Sequence, residues 1–155
     1  MRKRGKTSIT LLLVTIAVIA GCSPGPEPIE YGAVKCDHCK MLIMDRKFGS
    51  ELVTVKGKVY KFDAVECLAE FMLDSSVTAE NTHSLWVSDF EPPHEFLIAE
   101  KAFYLQSERI KSPMGLGLSA YSSAERADEF RRKYGGKVLN FEQMLDYVRA
   151  SREKS

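Results

Sequence analysis

The chain has 155 residues, 45% of them hydrophobic and 28% charged. That is room for one domain with a real core, and it excludes wholesale disorder. Lys and Arg total 22 against 21 Asp and Glu, a net charge of +1, which gives no electrostatic case for nucleic-acid binding. The balance hides an asymmetry: residues 1–21 hold four basic groups and no acid, leaving 18 basic and 21 acidic groups and a net of −3 beyond them. Cationic ligands are favoured only weakly by that bulk charge.

In chain order, the first element is a leader. Residues 1–6 are basic and residues 9–20 form a nearly continuous apolar run. The run is shorter than the roughly 20 residues that cross a bilayer, so it reads as a secretory signal. It ends in Ile19, Ala20, Gly21 and Cys22. This resembles the bacterial lipoprotein processing box, which implies removal of residues 1–21 and acylation of Cys22. Several acyl chains meet the need of stable anchoring for more than one lipid signal. The protein would then face the periplasm from a membrane. Ser23 follows the cysteine where an Asp would suggest inner-membrane retention, so the outer membrane is the default if the cell has one. Residues 22–28 contain Pro24, Pro26 and Pro28 and read as a stiff, extended tether. The folded domain is residues 29–155.

Residues 51–55 and 59–62 are β-rich runs around Gly57 and predict a hairpin. Asp63 is placed to cap a helix in which Ala64, Val65, Leu68, Phe71 and Met72 have helical spacing. Residues 84–90 predict a strand. Pro92 and Pro93 break the chain, and residues 102–106 start another strand. Residues 115–121 read as a glycine-containing strand, after which Ser122 or Ser123 caps a helix ending at Gly135 and Gly136. Residues 137–141 predict a strand and residues 142–152 a last helix. The two halves match at an offset of 59, which aligns Phe62 with Tyr121, Glu66 with Glu125, Glu70 with Glu129 and Phe71 with Phe130. The predicted class is therefore α+β, with two similar ββαβ units at about residues 29–92 and 93–155 and a C-terminal helix. Cys67 has Arg126 as its counterpart, so the second unit lacks that thiol.

Beyond Cys22 the chain has Cys36, Cys39 and Cys67, an odd number that cannot close into a disulfide framework without a leftover thiol. Outside the cytoplasm free thiols oxidise unless they are bound or buried. A metal or redox role is therefore favoured. Cys36 and Cys39 form a Cys-x-x-Cys pair with His38 between them, and Met41 and Met44 follow. Thiolate with thioether is soft ligation and suits Cu(I). Zn(II) prefers thiolate, imidazole or carboxylate. Residues 41–44 can equally be an apolar strand. Met114 lies between Pro113 and Gly115, outside any apolar periodicity, and reads as a soft ligand or as a side chain packed in a groove. His83 and His94 read as surface residues, and Trp86 as core. Cys67, on an apolar helix face, reads as core ahead of ligand.

The order of segments carries a resemblance. Cys22 comes first, then Cys36-x-x-Cys39-x-Met41, then the strand Lys58 to Phe62 running through Asp63 into a helix with Cys67. Residues 99–104 and the Ser112, Pro113, Met114, Gly115 turn before Ala120 and Tyr121 follow. Over residues 22–148 this is similar to the NosL family, the lipoprotein accessory factors of nitrous oxide reductase. The resemblance implies a Cu(I) chaperone, not an enzyme, whose partner is apo nitrous oxide reductase or its maturation machinery. It implies a fold like the two-unit core of the alkylmercury lyase family, and Cys36, Cys39, Met41 and Met114 as copper ligands. One departure is Lys40, where the family commonly has Gly.

Two other readings use the same residues. Small treble-clef domains of the heavy-metal-sensing type place a further cysteine just after the Phe, where this chain has Asp63. Cys36, Cys39 and Cys67 would then hold structural zinc, and Asp63 would join them or cap the helix. A thiol–disulfide oxidoreductase would open a helix with its Cys-x-x-Cys, and residues 41–44 do not read as a long capped helix.

Overall fold

The computed structural model describes residues 23–74 and 77–154; the leader and Cys22 lie outside the described residues. No helix among the described residues is long and apolar enough to cross a membrane. The elements are β1 (Ser50–Thr54), β2 (Val59–Phe62), α1 (Val65–Asp74), β3 (Thr82–Ser88), β4 (Phe96–Ile98), β5 (Phe103–Gln106), β6 (Leu118–Tyr121), α2 (Ala124–Tyr134), β7 (Lys137–Leu139) and α3 (Phe141–Arg152). They form one sheet in the order β2-β1-β3-β4 and a second in the order β6-β5-β7.

The duplication expected from sequence is present as topology. In each unit the first strand takes the centre. Its hairpin partner lies on one side, and the strand after the helix lies antiparallel on the other. The offset of 59 also holds at atomic level. Phe62 packs on Phe71 with ring centroids 5.1 Å apart, and Tyr121 packs on Phe130 at 4.9 Å. Each pair joins the end of the hairpin to the second turn of the helix behind it, burying aromatic surface where the sheet meets the helix.

The two units are joined through Phe90. Its N–H donates to the Ala120 carbonyl at 2.8 Å, and its ring meets Phe48, Tyr121 and Phe130. That hydrogen bond takes Phe90 out of the first sheet. β3 consequently lies earlier than predicted, pairing with β1 from Thr82 to Val87. β4 was not expected; it adds Phe96–Ile98 to the far side of β3. β6 is shorter than predicted because Gly115 and Gly117 sit at φ 82° and 73°, left-handed backbone that a strand cannot use.

Helix ends follow the sequence rules. Ser123 caps α2 through the Arg126 N–H, and Gly135, at φ 69°, ends it. Asn140 and Gln143 form a reciprocal capping box on α3. Trp86 departs from its expected core placement. It is half-buried, and its Nε1–H donates to Ser84 Oγ at 2.9 Å.

Candidate metal site

Residues 34–43 fold back on themselves before β1. The Ile43 N–H donates to the Val34 carbonyl at 3.0 Å, and the Cys36 N–H donates to the Met41 carbonyl at 2.8 Å. The Lys40 N–H closes the turn onto the Cys36 carbonyl at 3.1 Å. Cys36 and Cys39 thus stand on the tip of a narrow hairpin, and no helix opens there. The turn puts Lys40 at φ 67°. Left-handed backbone costs a residue with a Cβ roughly 1–2 kcal/mol, which explains why glycine suits this place. Lys40 Nζ also donates to the Asp37 carbonyl within the turn.

Asp37 seats the hairpin on the free edge of β2. Its N–H donates to the Lys61 carbonyl and its Oδ2 accepts the Lys61 N–H, both at 2.8 Å. The chain then runs from Phe62 through Asp63 into α1, which carries Cys67 on its first turn. One ligand atom each from Cys36, Cys39, Asp63 and Cys67 lies within 4.8 Å of the other three. Cys36, Asp63 and Cys67 are buried, and Cys39 is half-buried, so the cluster opens to one side. All three thiols are free.

The electrostatics set up one thiolate among protonated neighbours. Cys36 is held down to about 6, first by the Cys67 S–H donating to it, then by the N–H groups of Asp63, Cys39 and His38, against the cost of burial. Burial is the main cause that pushes Cys39 up to about 11, and the charges of Cys36 and Asp63 add to it. Cys67 is raised because its proton bridges to Cys36, and burial reinforces this. Cys39 Sγ donates to Asp63 Oδ2 at 3.6 Å, while Asp63 Oδ1 is buried with no hydrogen-bond partner. An orphaned buried carboxylate oxygen is costly unless a cation meets it. Three sulfurs and one oxygen on a tetrahedral metal would sit about 3.8 Å apart, given metal–sulfur bonds of roughly 2.3 Å. The cluster is therefore within a small contraction of a closed metal site. Binding there has to expel the protons of Cys39 and Cys67.

Asp63 does not take the plain capping position expected of it. α1 begins at Val65, so the cap position is Ala64, the counterpart of Ser123, and Asp63 stands one residue further out with its carboxylate on the thiols. Cys67 is fully buried, as a core residue would be, and is in the cluster as well. The Asp63-x-x-x-Cys67 spacing was the available signal, since it brings both side chains to one end of the helix.

Met41 is 49% exposed and Met44 66%, with Ile43 alone buried between them, so residues 41–44 are not a core strand. Met114 is half-buried. It packs against both apolar clusters and lines a surface cavity of about 380 Å³ with Glu70 and Leu116. Glu70 Oε2 lies 2.8 Å from His38 Nε2, which ties the hairpin tip to the second turn of α1. His83 is exposed, and His94 is half-buried with Nδ1 3.1 Å from the Asp89 carbonyl.

Three comparisons relate the chain to known proteins. The family model of NosL matches residues 29–148. The copper-binding lipoprotein NosL of Stutzerimonas stutzeri is 27% identical over 153 residues, covering 87% of this chain and 78% of that protein. The crystal structure of the copper chaperone NosL from Shewanella denitrificans matches with a TM-score of 0.66 and 25% identity, over 77% of this chain and 95% of that one.

Proposed function

This chain belongs to the NosL family, and on that premise we propose that it is a Cu(I) carrier that supplies copper for the assembly of nitrous oxide reductase. Residues 1–21 would direct export, Cys22 would carry the lipid, and residues 22–28 would lead into the domain on the periplasmic side, at the outer membrane where there is one. The observation that carries the copper reading is the half-open cluster of Cys36, Cys39 and Cys67, three sulfurs gathered in a wall that one side leaves accessible. Soft, low-coordinate ligation of this kind holds Cu(I) and excludes hard cations.

Delivery needs no reaction on a substrate. An incoming partner adds a ligand from the open side, where Cys39 is half-buried, and a carrier ligand leaves as the metal passes across. Met41, exposed and two residues from Cys39, and Met114, which lines a surface cavity with Glu70, are the thioethers offered to that exchange. A thioether does not titrate, so its contribution is independent of pH. Apo nitrous oxide reductase or its maturation machinery is the partner this reading names.

A second reading is favoured by one feature. Asp63 Oδ1 is an oxygen, and three thiolates with one carboxylate suit a closed Zn(II) site. The two are separated by titrating the reduced protein anaerobically with Cu(I) against a competing chelator, and with Zn(II) in parallel. Tight Cu(I) binding lost in Cys36→Ser and Cys39→Ser, with weak Zn(II) binding, is the expected result. Tight Zn(II) binding that the fold requires overturns the carrier reading and leaves a structural zinc module.

A further inference from the structure

The proline-rich stretch before the domain is not free of it. The Glu27 N–H donates to Glu51 Oε2 at 2.9 Å, and Lys61 Nζ donates to the Pro28 carbonyl and pairs with Glu27, each at 3.1 Å. Glu51 and Lys61 are partners across β1 and β2, so they present both grips on one face of the sheet. Pro24, Gly25 and Pro26 are half-buried, and Ile29 is buried. The strap is therefore pinned by the side chain of Lys61, and the backbone of the same Lys61 carries Asp37 of the thiol hairpin.

That placement limits where residue 22 can be. Six residue steps from Pro28 reach at most about 20 Å when fully extended. A domain of this size is roughly 35–40 Å across. An anchor at Cys22 is thus confined to the half of the molecule that holds the thiol hairpin. On that hairpin Met41, Leu42 and Met44 are exposed together, the last at 66%. Lys35, Lys40 and Arg46 are exposed around them. The acids of the same stretch are engaged, Asp37 by the Lys61 N–H and Asp45 by Lys47. An apolar tip inside a cationic rim is what an interfacial contact with anionic lipid requires.

We propose that the hairpin lies on the anionic phospholipid surface that holds the anchor, with Leu42 and Met44 entering the headgroup region, so that the thiol cluster is kept at the membrane face. The proposal rests on the lipid anchoring at Cys22 put forward above. The occupant follows from the reach of the chain: the surface that a 20 Å strap brings to this lobe is the bilayer itself. A copper donor or acceptor would then meet the site along the membrane plane.

The test uses the full acylated protein in vesicles of phosphatidylethanolamine and phosphatidylglycerol, in a Trp86→Phe background that removes the only native tryptophan. Leu42→Trp and Met44→Trp report on the hairpin. Arg132→Trp reports on α2 in the second unit, where the Arg132 side chain is 73% exposed. Lipids with a quencher at headgroup depth are expected to remove about half or more of the emission from either hairpin reporter and little from α2. Lys61→Gln, which releases the strap, is expected to lower hairpin quenching while the protein still floats with the vesicles. Flotation with unquenched Leu42→Trp and Met44→Trp overturns the proposal and leaves the patch to a protein partner. Failure to float refutes the anchoring itself, and the proposal with it.

Discussion

Cys67 is the residue at which a structural and a ligating role make different numerical demands. Its sulfur is fully buried between the hairpin and α1 and hydrogen-bonds to Cys36. Cys67→Ala removes one buried heavy atom and that bond. If packing were its only role, the loss would be about 1–2 kcal/mol of stability, with metal affinity unchanged. If it is one of the metal's sulfurs, the reduced protein should lose at least about a hundredfold in Cu(I) affinity, near 2.7 kcal/mol. Chelator competition under anaerobic conditions reads the second quantity, and urea unfolding of the apo protein reads the first. A further consequence of that bond is read without metal and holds under either role. The Cys67 S–H is the largest influence holding Cys36 at about 6, so in Cys67→Ala the Cys36 thiolate absorbance should titrate well above that value. A folded Cys67→Ala protein with native Cu(I) affinity would refute the assignment of Cys67 to the site.

Lys40→Gly should stabilise the apo protein by up to about 1 kcal/mol, because it relieves left-handed backbone at φ 67° at some cost in chain entropy; urea unfolding checks it, and a destabilised variant would mean that the Lys40 contact with the Asp37 carbonyl outweighs the backbone term. Glu51 gives a pH prediction. Burial pushes it up to about 7, whereas an unfolded Glu titrates near 4.3. Between those values the folded state holds a proton that the unfolded chain has released. The contribution of Glu51 to stability is therefore fully present below about pH 4.5 and is lost as pH rises to about 7. Glu66, also raised to about 7 by burial, acts in the same window and with the same sign. Glu51→Gln should flatten the trend by about 1–3 kcal/mol between pH 5 and 7.5, measured by urea unfolding with reductant and chelator; an unchanged slope would remove Glu51 as a source.

What was legible in the sequence had a local cause. The capping serine of α2, the Gly135 stop and the aromatic pairs at offset 59 depend on residues close in the chain or on a pattern written twice, and they stand where expected. What was not legible depends on partners far apart. β4 exists because Trp86 to Ser88 offer a free edge to Phe96–Ile98. Asp63 looks like a cap in sequence, and only the hairpin pinned to Lys61 makes its carboxylate face sulfur instead of a helix end. Cys67 illustrates the same limit: a thiol on an apolar face cannot be told from core until residues some thirty positions earlier are laid against it.

The repeat gives the cluster of the first unit a counterpart in the second. At the equivalent place on the two helices stand Cys67 and Arg126, and each meets the segment that precedes its own unit. Cys67 meets the hairpin of residues 34–43 that leads into β1. Arg126 meets Glu91, in the connection that leads towards β5, through Nε at 2.7 Å and through a terminal nitrogen. One architectural contact, helix start against incoming chain, is thus filled by sulfur in the first unit and by an ion pair in the second. Burial fits the difference. Cys67 is sealed, as a soft, weakly hydrated ligand tolerates, while Arg126 remains 42% exposed, as a guanidinium requires unless its whole charge is matched. The duplicated frame supplies this contact, and the first unit fills it with sulfur on both sides, Cys67 from the helix and Cys36 and Cys39 from the incoming hairpin.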